Sequence, residues 1–189
     1  MQDEQTFRSL LDEHGILRDG AAPSLASAYS VFAQRPDARL DVVALRQHAQ
    51  RFFGAKLGLT VDKHYLAPVT TDAARIVLAT DDPATSGTRL CVGRPATAED
   101  HDQAEDAERA SSATGMGHLA RRCPTVWLVA RDAPPSTRDV TAAHDDKCSL
   151  LLAAIFASVL LGPILDGDEI FGVRTARLKL ERPAASPYR

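Results

Sequence analysis

Apolar positions in the first third of the chain recur at helical spacing. Phe7, Leu10 and Leu11 share one face ahead of Gly15, which predicts a short helix. Pro23 at a first-turn position, followed by Leu25, Ala28, Tyr29 and Phe32, predicts a second helix that ends at Arg35-Pro36. Val42, Leu45, Ala49, Phe52 and Phe53 form a single stripe over residues 41–53, with Gly54 as the stop. That predicts a third helix with one face on a core.

After Gly58 the pattern changes. Residues 59–69, 75–80 and 89–92 are short runs rich in β-branched or large apolar side chains, bounded by turn formers. The last two read as a hairpin, since Pro83 and Gly87 punctuate a polar loop between them. From there a helix over 97–110, a strand over 125–130, a helix over 141–161 and a strand over 169–180 follow in alternation. The fold class expected is α+β, a mixed α/β arrangement: N-terminal helices, then a mixed sheet of about five strands with two longer helices packed on it. The 189 residues suit one domain, with a helical part over 1–58, a sheet part over 59–181 and a loose tail over 182–189.

Composition narrows the functional classes. Hydrophobic residues make up 44% and charged residues 25%, the balance of a soluble globular chain. With 22 Lys and Arg against 25 Asp and Glu, the net charge of −3 gives no footprint of a general nucleic-acid binder, and few amphipathic aromatics are present to stack bases. Of the 22 basic residues 18 are Arg and Ala is abundant, which suits a bacterium with GC-rich codons. Cys91, Cys123 and Cys148 are odd in number, widely spaced and without a CxxC, so they read as buried thiols in a reducing compartment. The polar, acidic start lacks the features of a signal peptide, and the expected location is cytoplasmic.

Three patterns carry candidate chemistry. On the acidic helix over 97–110, His101 and Glu105 share a face at i,i+4; with His144 and Asp145 they make a candidate divalent-metal set. The competing account of that helix is structural, because Thr97 with Asp100 resembles a capping box and acids in a first turn suit the helix dipole. The loop Gly115-Met116-Gly117 leads into Arg121 and Arg122, a candidate cradle for a nucleotide or CoA-type anion, although it matches neither the Walker nor the dinucleotide pattern. Arg174, Arg177 and Lys179 lie together on one end of the predicted last strand and would suit an anionic partner or an edge protected from aggregation.

The segment from Cys148 to Leu165 has no charged residue. Gly162-Pro163 ends its helix early, leaving about 14 residues or ~21 Å, too short to cross a bilayer. A helix that is apolar all round needs cover on every side, either from the N-terminal helices or from a second subunit. The helix from Cys148 to Leu161 is therefore the expected contact for self-association or a protein partner. The resulting reading is a soluble bacterial accessory protein acting as a homodimer or as a subunit of a larger assembly. A small metal-dependent hydrolase and a nucleotide- or CoA-binding protein are the alternatives, so the residues leave enzymatic activity undecided. No cofactor is expected beyond the divalent ion of the hydrolase alternative.

Overall fold

A computed structural model of the chain describes residues 28–37, 39–60, 70–71, 73–111, 115–130 and 147–181. The expected helix over 7–15 and the tail over 182–189 lie outside them. The elements run β1 (Ala28–Ala33), β2 (Leu40–Asp41), α1 (Val42–Phe53), β3 (Lys56–Thr60), β4 (Thr70–Thr71), β5 (Ala73–Ala79), β6 (Gly87–Pro95) and α2 (Ala98–Ala110). They continue with α3 (Met116–Arg121), β7 (Thr125–Ala130), α4 (Lys147–Leu160), β8 (Ile164–Asp166), β9 (Glu169–Phe171) and α5 (Val173–Glu181). A seven-stranded sheet has the order β3-β5-β6-β7-β1-β8-β9, and β2 pairs separately with β4.

The α+β class holds, but the sheet has seven strands rather than about five, and among the described residues every pairing is antiparallel. The reason lies in β1. The strand, helix, strand order β7-α4-β8 reads as a parallel crossover, yet β1 inserts between β7 and β8 and pairs antiparallel with both. β1 itself corrects the second predicted helix. All six of its residues, Ala-Tyr-Ser-Val-Phe-Ala, are buried, so both faces are covered and the two-residue alternation that marks a half-exposed strand is missing.

The predicted strand over 169–180 is also corrected. It ends at Phe171, and α5 begins at Val173 with Ala176 as its buried position. A continued strand would put Leu178 on the same face as Leu180, whereas Leu178 is 53% exposed on the helix. β8 lies outside the predicted strands; its hairpin with β9 turns at Gly167 in the left-handed conformation, φ 56°.

The other elements follow their local signals. Asp41 caps α1 by accepting from the Val43 and Ala44 amides at 2.9 and 3.0 Å, and Gly54 ends it with φ 63°. β5 and β6 pair as expected across a loop containing a short 3-10 turn at Pro83–Thr85. Strand β3 covers only the start of the predicted 59–69 run; residues 61–69 lie outside the described set.

Alternation along the strands separates two cores. Tyr29, Val31, Ile76, Leu78, Trp127 and Val129 face α4 and α1, with Trp127 tilted against Phe156 at 5.2 Å between ring centroids. Phe32, Leu165 and Ile170 face the other way, against Ala104 and Ala107 of α2 and Ala120 of α3. The apolar helix α4 lies between the sheet and the helices α1 and α5, so cover on its outer side comes from this chain. None of the described helices is long and apolar enough to cross a membrane.

Candidate functional site

The α2–α3 corner holds most residues singled out in the sequence. Gly115 takes the left-handed conformation, φ 85°, and starts α3 without a capping side chain. The carboxylate of Glu108 takes that place: it accepts from the Gly115 amide and, at 3.2 Å, from the His118 amide. Gly117 permits this approach, since a Cβ there would stand 2.6 Å from Glu108 Oε2 and 2.9 Å from the Ala104 carbonyl oxygen. The amides of the candidate anion loop thus surround an acid of the same chain.

The candidate metal and anion residues meet each other directly. Glu105 forms an ion pair with Arg121 at 2.7 Å. His101 Nε2 lies 3.1 Å from the Cys123 carbonyl oxygen, and its ring lies nearly parallel to Phe32, 24° between planes and 6.2 Å between centroids. His144 and Asp145 lie outside the described residues, among which no group of three or more His, Cys, Asp or Glu side chains is gathered to hold a metal. Arg122 is exposed. Burial pushes the neighbouring Cys123 thiol up to about 11 against the lowering effect of the Arg122 charge.

Two surface features form only in three dimensions. On one side of the sheet a groove of roughly 720 Å³ runs over the last turns of α1 and the start of β3, lined by Arg46, Arg51 and Lys56 beside Phe52. A second hollow of about 370 Å³ shares His48 and Phe52 with it and adds Ser158 of α4 with Arg174 and Arg177 of α5. Among the described residues five cations and no carboxylate line the pair of hollows. Among the described residues none of the five forms an ion pair.

The architecture of that groove is well anchored. Arg177 Nη2 donates to the Phe52 carbonyl at 2.8 Å, and its guanidinium lies over the Phe53 ring at 4.6 Å. The Ser158 hydroxyl donates to the Ile155 carbonyl at 2.7 Å, so its oxygen is the acceptor for His48 Nδ1–H at 3.2 Å. Phe52 is left 46% exposed. The sequence marks Arg174 and Arg177 as a basic group, but on a strand; helix α5 is what brings them beside α1. Lys179 goes elsewhere, to Glu169 at 2.5 Å and over the Phe171 ring at 4.3 Å.

The opposite side of the sheet carries the reverse charge. A cleft of roughly 650 Å³ has exposed Glu99, Asp106 and Asp168 around buried Ala28, Ala107 and Leu165. Glu99 and Asp106 belong to the acidic helix noticed in the sequence, and Asp168 comes from the β8–β9 turn, which the sequence reading misses. Comparison of the chain with protein-family models, curated proteins and solved structures finds no match.

Proposed function

We propose that the protein works through its surface, as an interaction subunit, and that the groove over α1, β3 and α5 holds an acidic segment of a partner. The observation that carries this reading is the set of five cations around the half-exposed Phe52, none of them in an ion pair among the described residues. Arg and aromatic side chains are the residue types that dominate binding energy at protein contacts, and a field of one sign steers an oppositely charged partner into place. The apolar helix α4, to which the sequence reading assigns the partner contact, is covered by α1 and α5; the groove therefore takes over that role.

The test is fluorescence anisotropy with a fluorescein-labelled, Glu-rich peptide carrying one Leu. Binding is expected at low salt, and the double variant Lys56→Glu, Arg174→Glu is expected to weaken it by at least about tenfold, or ~1.4 kcal/mol. Both side chains are exposed, so the variant should keep its fold. Absence of binding, or binding indifferent to the charge reversal, would overturn the reading.

A further inference from the structure

The acid-rimmed cleft and the end of α1 are complementary in charge and in their apolar parts. Phe52 projects from the last turn of α1 with the Arg51 guanidinium over its ring at 5.2 Å, which makes one knob of an apolar body and a cation. The knob is held in place behind, because Gly54 ends the helix and Arg177 grips the Phe52 carbonyl. The cleft on the other side of the sheet offers the matching parts: a floor of Ala28, Ala107 and Leu165 for a ring, and carboxylates of Glu99, Asp106 and Asp168 around it for a guanidinium. Asp106 also touches Arg109, which is exposed and free to swing aside at little cost, as surface pairs contribute little.

We infer that the occupant of the cleft is the Arg51–Phe52 knob of a second copy of this chain. The inference rests on the proposed surface-acting role and names the partner as the protein itself. Every copy carries both halves, at equal concentration and with opposite charge. Their positions fix the mode of assembly. Successive residues of β1 point to opposite faces, Val31 toward the core under α1 and Phe32 toward the core under α2. Knob and cleft therefore lie on opposite sides of the sheet, and one two-fold axis cannot satisfy both at a single contact. The copies stack head to tail; an open stack keeps one knob and one cleft unfilled at its ends, so it either grows as a filament or closes into a ring.

Sedimentation velocity of the full chain tests this. At low salt the average mass of the wild type is expected to rise with concentration past that of a dimer, and to fall back toward the 20.3 kDa monomer at about 1 M salt, where the screening length is about 3 Å. The variant Arg51→Glu, Phe52→Ala and the variant Asp106→Lys, Asp168→Lys should each remain monomeric, with circular dichroism confirming that both are folded. Mixed in equal amounts they should form a one-to-one dimer and nothing larger, because one supplies the only intact cleft and the other the only intact knob. A monomeric wild type, variants that associate like the wild type, or a mixture that stays monomeric would each overturn the inference. If the wild type is monomeric but still binds the Glu-rich peptide, self-assembly alone fails and the groove takes a foreign partner; if it does neither, both readings fail.

Discussion

The carboxylate of Asp100 is clasped by the guanidinium of Arg94 through two hydrogen bonds, 2.6 Å to Oδ2 and 2.8 Å to Oδ1. Its Oδ2 also accepts from the Thr97 amide at 2.7 Å and the Thr97 hydroxyl at 2.9 Å. One side chain thus closes the capping box of α2 and ties that helix to β6. Burial alone would raise the Asp100 carboxyl, but the hydrogen bonds from Arg94 and Thr97, with the Arg94 charge, hold it below the ordinary carboxylate range.

Asp100 should therefore give the protein a specific acid sensitivity. A carboxyl with a depressed folded pKa contributes stability that is present above its unfolded value, about 3.9, and lost as pH falls through the folded value. Thermal unfolding of Asp100→Asn should lie below the wild type by about 2 kcal/mol at neutral pH, the cap and the charged pair being lost together. The gap should narrow below about pH 4. A gap that persists in acid would mean the loss is one of packing.

Gly162 is expected to be intolerant of any side chain. A Cβ there would lie 1.9 Å from the Phe32 carbonyl oxygen, a backbone atom of the central strand β1. The Phe32 amide bonds Pro163 and the Gln34 amide bonds Leu160 across the same junction, at 3.0 and 3.2 Å. Gly162→Ala must push α4 or β8 away from β1, and a loss of about 3 kcal/mol or more is expected in urea unfolding. Gly54→Ala, with open space around its Cβ but a left-handed backbone, should cost only about 1 kcal/mol.

The three thiols should be silent toward a disulfide reagent in the native protein. Cys91, Cys123 and Cys148 are all buried thiols outside any disulfide, and burial, the largest influence on Cys91 and Cys123, pushes both thiols up. None should react at pH 8 in native buffer, and all three should react in denaturant. The linkage has the opposite sign to that of Asp100. Unfolded thiols ionise near 8.5, so stability should fall as pH rises from there toward the folded value of Cys123, about 11. Rapid reaction of one thiol in the native state would show that its site opens locally.

Local order was largely written in the sequence. The α1 stripe with its Asp41 and Gly54 caps, the Thr97–Asp100 box of α2, the β5–β6 hairpin and the strand β7 depend on neighbours within a few residues, and their signals are periodicity and caps. The failures share a cause. β1 is buried on both faces and so lacks the alternation of a half-exposed strand, and α5 carries β-branched residues although its core contact follows helical spacing.

The sequence also determined the inventory of charge: an acidic helix over 97–110 and a basic group at Arg174 and Arg177. Tertiary structure decided what those charges face. It turned Glu105 toward Arg121 and Glu108 toward the Gly115 and His118 amides, using two acids for the α2–α3 corner. It brought α5 beside α1, so that cations more than a hundred residues apart line two hollows that meet at His48 and Phe52, and placed Asp168 with Glu99 and Asp106 around one cleft. The difference is one of range. Capping and periodicity act between residues a turn apart, whereas the groove and cleft depend on how whole helices lie on a sheet, which packing of distant side chains sets.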